Sequence, residues 1–196
     1  MPRSGALRSS TVPSPGAPPA GYQPQWINGR EVGVGLRDCS GRYRAIKNHL
    51  PSGPLRVLDI GAYNGYFCRR LVDDFDAQCV AVDNAPELEP YRNVSVMSGH
   101  VTPMQIRVPG GFNVVLCLSV LHHWPNWADY LSAMLSTGAT VFIESADPAE
   151  NLGHPKTEWA TELHGAMQTL GRVIHYCPNI HGTHLRPLWV CHNNER

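Results

Sequence analysis

Hydrophobic residues fall into seven short runs along the chain, and segments of helical character separate most of these runs. The runs lie at residues 56–60, 79–82, 94–97, 112–118, 140–144, 171–176 and 188–191. The helical segments are residues 42–50, 65–75, 127–135 and 157–170. Thr157 is expected to cap the last helix. Because strands alternate with helices, the pattern predicts an α/β fold, a doubly wound seven-stranded sheet.

The start of the chain differs from the rest in composition. Residues 1–20 are rich in Pro, Ser, Gly and Ala and almost lack large apolar side chains, so a disordered tail is expected there. Residues 21–196 are enough for a single α/β domain and little more. The N-terminus has no apolar core of a secretory signal, and no apolar run approaches the length of a membrane span.

Charge and cysteine content narrow the class of protein. The 16 basic and 16 acidic residues give a net charge of +0. This balance does not indicate extended nucleic-acid binding, although a small basic patch would leave nucleic acid open as a partner. The 6 cysteines include no C-x-x-C pair. A reduced, cytoplasmic protein without a membrane span is predicted.

Acidic residues mark the first two predicted strands, and glycines follow the first. Asp59 lies in the first strand, Gly61 and Gly65 follow it, and Asp83 ends the second strand. Glycine permits a sharp turn and lets a ligand lie close against the backbone. A carboxylate at the end of the second strand can accept two hydrogen bonds from ribose hydroxyls. The strand–turn–helix–strand unit therefore predicts a nucleotide-binding half-domain.

The glycine spacing departs from that of nicotinamide and nucleotide-sugar enzymes, because Tyr63 and Tyr66 occupy positions that G-x-G-x-x-G would need for glycine. The segment from Asp59 to Gly65, with Asp83, instead resembles the cofactor site of class I S-adenosylmethionine-dependent methyltransferases. Their motifs read D-x-G-x-x-x-G, followed by a strand that ends in Asp or Glu. The resemblance implies S-adenosylmethionine as cofactor and an antiparallel last strand. The binding residues it implies here are Asp59, Gly61, Ala62, Tyr63, Asn64, Gly65, Asp83 and Asn84.

The same resemblance covers the third and fourth strands. His100 and Val101 follow the third strand, where the family holds the adenine ring. The fourth strand ends at Leu118, near the methyl group in the family, and His122 and His123 come after it. These two histidines are candidate catalytic residues, as a general base or as acceptor-binding groups, because histidine titrates near neutral pH. A packing role is the alternative.

Residues before the first strand are candidates for binding the methionine part of the cofactor. An arginine can hold a carboxylate by two parallel hydrogen bonds. Arg42, with Arg37 close by, is expected to do this, and a solvated helix charge is the alternative. Tyr22 and Gln23 are expected to close over the cofactor from the N-terminal side.

A segment near the C-terminus indicates the type of acceptor. Residues 180–191 contain Thr-His-Leu and Arg-Pro-Leu. They are similar to the corresponding segment of one methyltransferase subgroup, which includes the O-antigen chain-terminating kinase–methyltransferases. Related enzymes methylate terminal phosphates, some of them on RNA. The resemblance implies an anionic acceptor, bound by His184 and Arg186 together with the two histidines after the fourth strand. A phosphate or carboxylate acceptor needs no base, whereas a hydroxyl acceptor does.

Two further readings of the chain stay open. A group of His and Cys residues lies near the C-terminus, and its spacing fits no trusted ligand pattern, so no metal is expected: His175, Cys177, His181, His184, Cys191 and His192. A regulatory or partner protein that binds S-adenosylmethionine or S-adenosylhomocysteine without catalysis is the alternative function. An open path from the donor to solvent beside His122 would favour an enzyme. The sequence identifies neither the acceptor, which could be a glycan, an RNA end or a small molecule, nor the oligomeric state.

Overall fold

The computed structural model describes residues 21–85, 87–107 and 111–192. The tail predicted for residues 1–20 lies outside these described residues. In chain order the elements are β1 (Gln25–Ile27), β2 (Arg30–Val32), α1 (Cys39–Lys47), β3 (Arg56–Ile60), α2 (Tyr66–Phe75), β4 (Gln78–Asp83), β5 (Val94–Ser98), α3 (Pro103–Ile106), β6 (Val114–Leu118), a 3-10 helix (Leu121–His123), α4 (Trp127–Leu135), β7 (Thr140–Glu144), α5 (Lys156–Leu170), β8 (Arg172–Pro178) and β9 (Leu185–Cys191). None of the helices within these ranges has the length and apolar character needed to cross a membrane.

Seven strands form one sheet in the order β5-β4-β3-β6-β7-β9-β8. Strand β3 pairs in parallel with β4 and β6, whereas β9 pairs antiparallel with β7 and β8. The chain moves outward from β3 to β5 and then returns to the other side of β3 as β6, so the strand order reverses there. Open α/β sheets bind ligands at such a reversal, outside the carboxyl ends of the strands. The predicted doubly wound sheet with its antiparallel last strand is confirmed.

Alternate residues of β3 pack on opposite faces of the sheet. Val57 belongs to a buried cluster that includes Leu71 of α2. Its neighbour Leu58 belongs to the other cluster, with Met134 of α4 and Leu163 of α5. A parallel strand that is covered on both faces is apolar along its whole length. This two-sided burial is why the central strands stand out as continuous hydrophobic runs in the sequence.

Some element boundaries differ from the predicted ones. Helix α1 begins at Cys39, earlier than predicted, because the Asp38 side chain caps it by accepting a hydrogen bond from the Gly41 N–H at 2.7 Å. The predicted Thr157 cap is wrong, since Thr157 lies inside α5 and its hydroxyl accepts a hydrogen bond from the Leu152 N–H at 3.0 Å. The sequence pattern does not predict the β1–β2 hairpin or α3, because elements this short carry no measurable periodicity.

Asp59 is a buried acid in the central strand. It is 2% exposed, and its carboxylate accepts a hydrogen bond from the Cys68 thiol at 3.5 Å. Burial raises the pKa of Asp59 to about 7; the negative charge of Asp83 adds to this effect, whereas Cys68 and Arg42 oppose it. The folded protein therefore binds a proton at Asp59 more tightly than the unfolded chain does.

Replacing Asp59 with Asn should change how stability depends on pH. With a raised pKa in the folded state, the contribution of Asp59 is fully present below its unfolded pKa of about 4 and is lost as pH rises through about 7. Asp59→Asn removes this loss, so the Tm of the variant relative to wild type should rise between pH 4 and pH 8. Thermal melts at several pH values measure it, with exposed Asp129→Asn as the control. A constant offset between the Asp59→Asn and wild-type curves would contradict the assignment.

Candidate active site

A cavity of about 450 Å³ lies at the carboxyl ends of the parallel strands, where the strand order reverses. Eleven residues of the predicted site line it, namely Tyr22, Gln23, Gly61, Tyr63, Asp83, Asn84, His100, Val101, Leu118, His123 and Arg186. The rest of its wall consists of Ile60, Val82, Gly99, Ser119, Val120, Trp124, Leu152 and Ile180. The fold therefore gathers into one cavity residues that were assigned from separate segments of the sequence.

The turn after β3 requires glycine at two positions, for different reasons. Gly61 has a φ of +78°, and a Cβ atom there would lie 2.3 Å from Cγ2 of Val120. Gly65 has a φ of +74°, but the nearest atom to a Cβ would be 3.4 Å away, so its backbone conformation alone is the constraint. The Gly61 N–H donates to the Val82 carbonyl at 2.9 Å, which fixes the turn against β4. Bare backbone is left on the cavity wall, where a ligand can approach closely.

Asp83 ends β4 and presents a half-buried carboxylate to the cavity. Its Oδ2 atom accepts a hydrogen bond from the Tyr63 N–H at 2.7 Å, and its Oδ1 atom accepts one from the Ala85 N–H at 2.8 Å. These two bonds fix the plane of the carboxylate. Each carboxylate oxygen has about two acceptor sites, so each retains capacity for one more donor. The arrangement can therefore accept two neighbouring hydroxyl groups.

The cavity wall beyond Asp83 is aromatic and apolar. The ring of His100, which follows β5, meets the ring of Trp124 edge to face, with centroids 6.1 Å apart. Val101 lies beside His100 and is 3% exposed. A flat apolar group with a polar edge, such as a purine, can pack against such a wall.

The segment before α1 closes one side of the cavity. Its ends meet where the Leu36 N–H donates to the Gly21 carbonyl at 3.0 Å. The Tyr22 ring packs edge to face on the Tyr63 ring, with centroids 5.6 Å apart. Asn64, predicted to line the turn, is buried and donates from Nδ2 to the Pro24 carbonyl at 2.9 Å. Asn64 thus ties this segment to the glycine turn and does not itself line the cavity.

A buried ion cluster lies behind the cavity, at the end of β7. Glu144 is fully buried and accepts hydrogen bonds from Arg37, from Arg42 Nη1 at 3.0 Å and from the Ser119 hydroxyl at 2.6 Å. Ser119 has a φ of +61°, a backbone conformation that non-glycine residues rarely adopt. We call Glu144, Arg37, Arg42 and Ser119 the Glu144 cluster. It joins α1, β6 and β7 under the cavity.

The structure does not support the predicted contact of Arg42 with the cofactor. Arg42 is 0% exposed and does not line the cavity. Besides its bond to Glu144, its Nε atom donates to the Asp38 carbonyl at 3.0 Å, and its guanidinium stacks on the Phe67 ring. Arg42 lies in a helix, as the sequence predicts. Its side chain, however, binds Glu144, a buried acid 102 positions away in the sequence.

Arg186 is the arginine that lines the cavity. Glu150 holds it by two parallel hydrogen bonds, from Nε at 2.8 Å and from Nη2 at 2.7 Å. Its Nη1 atom donates to the Ser119 hydroxyl at 3.2 Å, which connects it to the Glu144 cluster. Burial alone would raise the pKa of Glu150, but the bonds and charge of Arg186 outweigh it and lower that pKa. Asn179 also donates to Glu150, at 3.3 Å, and so fixes the pair from the β8–β9 turn.

The two adjacent histidines occupy different environments. His122 is 0% exposed, does not line the cavity, and has no hydrogen-bond partner for either ring nitrogen among the described residues, so a direct catalytic contact is not supported. Burial, then the charges of neighbouring groups, lower its pKa well below the usual value. His123 lines the cavity and is exposed to solvent. Desolvation of the ring by surrounding protein atoms is the largest cause that lowers the pKa of His123, to about 4, and the positive charges of Lys156 and Arg186 add to it. Both rings are therefore neutral at pH 7.

The remaining predicted residues lie off the cavity wall. His184 lies in the β8–β9 turn, with Nδ1 3.0 Å from the Thr183 hydroxyl, so the predicted substrate contact is not supported. Asp59, Ala62 and Gly65 are likewise not among the residues that line the cavity. In the part of the chain that the structure describes, no group of three or more His, Cys, Asp or Glu side chains is arranged to hold a metal ion.

Sequence reasoning missed the acids that organise the site. Glu144 ends a parallel strand, as Asp83 does, so its position at a strand end was a usable signal for it. Glu150 lies in a loop and had no such signal.

The family of the chain follows from comparison with known proteins. The family described as methyltransferase domain matches residues 36–186, which is more than half of the chain. The chain belongs to this methyltransferase domain family. The predicted enzyme class, S-adenosylmethionine-dependent methyltransferase, and its cofactor are confirmed at the level of the family.

Individual relatives of this methyltransferase domain are distant. The tRNA U34 carboxymethyltransferase of Helicobacter pylori (strain Shi470) is 25% identical over 108 residues, which are 50% of this chain and 41% of that protein. The chain thus spans less than half the length of the curated relatives it matches. The bifunctional kinase–methyltransferase WbdD has a TM-score of 0.62 at 21% identity, over 82% of this chain and 41% of that chain. The N-methyltransferase NodS from Bradyrhizobium japonicum WM9, solved with S-adenosylhomocysteine, has a TM-score of 0.56 at 15% identity, over 79% and 86% of the two chains. These likenesses show the fold.

Removing Arg42 should destabilise this methyltransferase domain. Arg42→Ala leaves the buried Glu144 with one arginine fewer, and breaking a buried ion pair costs about 3–5 kcal/mol. Exposed Arg44, two residues along α1, is the matched control and should change the free energy of unfolding by less than about 0.5 kcal/mol. Urea denaturation measures both variants. If Arg42→Ala kept full stability and lost only cofactor affinity, that result would support the predicted contact of Arg42 with the cofactor and contradict its structural role.

Proposed function

We propose that this chain transfers a methyl group from S-adenosylmethionine to an oxygen of an anionic acceptor, a phosphate or a carboxylate. The observation that carries the proposal is the position of Arg186, on the cavity wall and hydrogen bonded to Ser119 just after β6. In this sheet order β6 adjoins β3, which carries the glycine turn. An anion bound by Arg186 would therefore lie next to a donor bound at that turn.

The residues on the β3 and β4 side of the cavity fit the donor. S-adenosylmethionine, when bound, supplies an electrophilic methyl group. Asp83 would accept hydrogen bonds from its ribose hydroxyls, since both carboxylate oxygens retain acceptor capacity. His100 and Val101 would flank its adenine ring. Gly61 lines the cavity and has no side chain, so the donor could lie against the backbone of the turn there.

Arg186 can bind an oxyanion without giving up its present partners. A guanidinium has five N–H donors, and described residues use three of them on Arg186. Two donors therefore remain for an acceptor, one on each Nη atom. Because Glu150 and Ser119 already fix the guanidinium, it would lose little side-chain entropy when an anion binds. Such preorganisation favours alignment of the acceptor oxygen with the methyl carbon.

An anionic acceptor fits the protonation state of His123. His123 is neutral at pH 7, because its pKa is lowered to about 4. A phosphate or carboxylate oxygen carries no proton that a base must remove. A hydroxyl acceptor with His123 as base is the second candidate, supported by the place of that ring on the cavity wall. A base with so low a pKa would remove a hydroxyl proton poorly.

The non-catalytic alternative has less support. It would require the donor site to be closed off from any acceptor. His122, beside which an open path was expected, is buried off the cavity wall, but its neighbour His123 lines the cavity and is exposed to solvent. Arg186 lines the same cavity, so a small molecule or the end of a longer chain that enters beside His123 could reach both Arg186 and the donor.

Donor binding is the first test. Isothermal titration of the protein with S-adenosylmethionine and S-adenosylhomocysteine should give saturable binding of both. Asp83→Ala should weaken each by on the order of 100-fold or more, because two hydrogen bonds to a charged group are lost. Asp129→Ala, a change of the same type at an exposed position in α4, should bind as wild type does. No binding of either compound to the wild-type protein would overturn the proposed function.

A further inference from the structure

The part of the cavity around Arg186 is apolar apart from a few polar groups. We call it the acceptor end; it is lined by Ser119, Val120, His123, Leu152, Ile180 and Arg186. Leu152 and Ile180 are half-buried and lie close in sequence to Glu150 and Asn179, which are hydrogen bonded to each other. The side chains that flank the arginine are therefore aliphatic, on both the loop after β7 and the β8–β9 turn.

The charge behind the acceptor end is nearly balanced. Three arginines, Arg37, Arg42 and Arg186, meet two glutamates, Glu144 and Glu150, in connected ion pairs, which leaves one positive charge. His123 is neutral at pH 7. Lys156 is exposed and lies off the cavity wall, so its charge, which helps to lower the pKa of His123, is not in position to contact a group bound in the cavity. An acceptor with a single negative charge would balance this end of the cavity.

The shape of the available donors also distinguishes between anions. The two remaining N–H groups of Arg186 belong to one planar guanidinium, which matches the two oxygens of a carboxylate. A phosphate monoester carries about 1.5 to 2 negative charges at pH 7 and three acceptor oxygens. The residues that line the acceptor end include no cationic side chain besides Arg186 that could balance the second charge of a phosphate.

We propose that the acceptor is a monocarboxylate attached to a small apolar body, with the carboxylate on Arg186 and the body between Leu152 and Ile180. The inference rests on the proposed function and narrows its acceptor from oxyanions in general to one class. It departs from the phosphate acceptors that the sequence resemblance implies.

The reaction balances without a proton transfer. A carboxylate oxygen donates an electron pair to the methyl carbon, and an O–CH3 bond forms. The S–CH3 bond breaks, and its electron pair stays on sulfur. The anion and the sulfonium become a neutral methyl ester and a neutral thioether, so the chain needs no general base for this step.

Three probes separate the two features of the acceptor. Phenylacetate has the carboxylate and an apolar ring, phenyl phosphate keeps a ring but changes the anion, and gluconate keeps the carboxylate but replaces the apolar body. Each is titrated calorimetrically into the protein saturated with S-adenosylhomocysteine. Phenylacetate should bind at least about tenfold more tightly than either of the others. With S-adenosylmethionine carrying a tritiated methyl group, it should also give a volatile product after mild base treatment, as a methyl ester does.

Matched variants test the two contacts. Arg186→Gln should weaken phenylacetate binding by on the order of 10- to 100-fold, since a hydrogen bond to a charged group contributes about 1.5–3 kcal/mol. Arg172→Gln, at an exposed position at the start of β8, is its control. Ile180→Thr should weaken phenylacetate but leave gluconate unchanged. Leu185→Thr, which is 54% exposed and off the cavity wall, is the control for that change.

The outcomes separate this inference from the proposed function. Tighter binding or faster methylation of phenyl phosphate would overturn the carboxylate assignment while leaving an anionic acceptor in place. Equal binding of phenylacetate and gluconate would overturn the apolar body. If S-adenosylhomocysteine binds and none of the three probes does, the acceptor end is misassigned. If S-adenosylhomocysteine itself fails to bind, the proposed function falls as well.

Discussion

The arrangement of this site depends on the buried carboxylate of Glu144. One acid at the end of β7 receives two arginines from the α1 region and the hydroxyl of Ser119 after β6. Charges buried in this way are tolerable when each is paired and hydrogen bonded, and become costly when one partner is missing. Since the pairs span three elements, helix α1 and the cavity wall can adopt their native positions only together.

The Glu144 cluster also reaches the cavity through Ser119. The hydroxyl of Ser119 donates to Glu144 and accepts from Arg186, so the arginine on the cavity wall shares a hydrogen-bond network with the buried arginines. Glu150 completes the network on the other side. Networks of this kind set side-chain positions before a ligand arrives, which is a requirement for aligning two reacting groups. The strained backbone of Ser119 is held in place by these bonds.

The sequence predicted those features whose signals are local. The strand, the glycine turn and Asp83 lie within residues 56–83, and two-sided burial makes the central strands continuous apolar runs. The two arginine partners of Glu144 lie 102 and 107 positions away, and no periodicity tells which acid an arginine in or before α1 will meet. Likewise His122 and His123 are adjacent, and only the 3-10 helix decides which ring enters the cavity. The pattern thus predicts the alternation of strands and helices, whereas the antiparallel last strand is implied by the family resemblance, and long-range side-chain pairing is not predicted at all.

The contact between Gly61 and Val120 couples two segments that are distant in sequence. Because a methyl group of Val120 occupies the space that a Cβ atom at position 61 would need, these positions divide one fixed volume between them. Among homologous chains, the two positions should covary: a larger residue at 61 should appear only with a smaller one at 120. The positive φ of Gly61 limits this exchange further. Substitutions at position 61 in the turn and at position 120 after β6 are therefore not independent, since each position limits the size of the side chain that the other can carry.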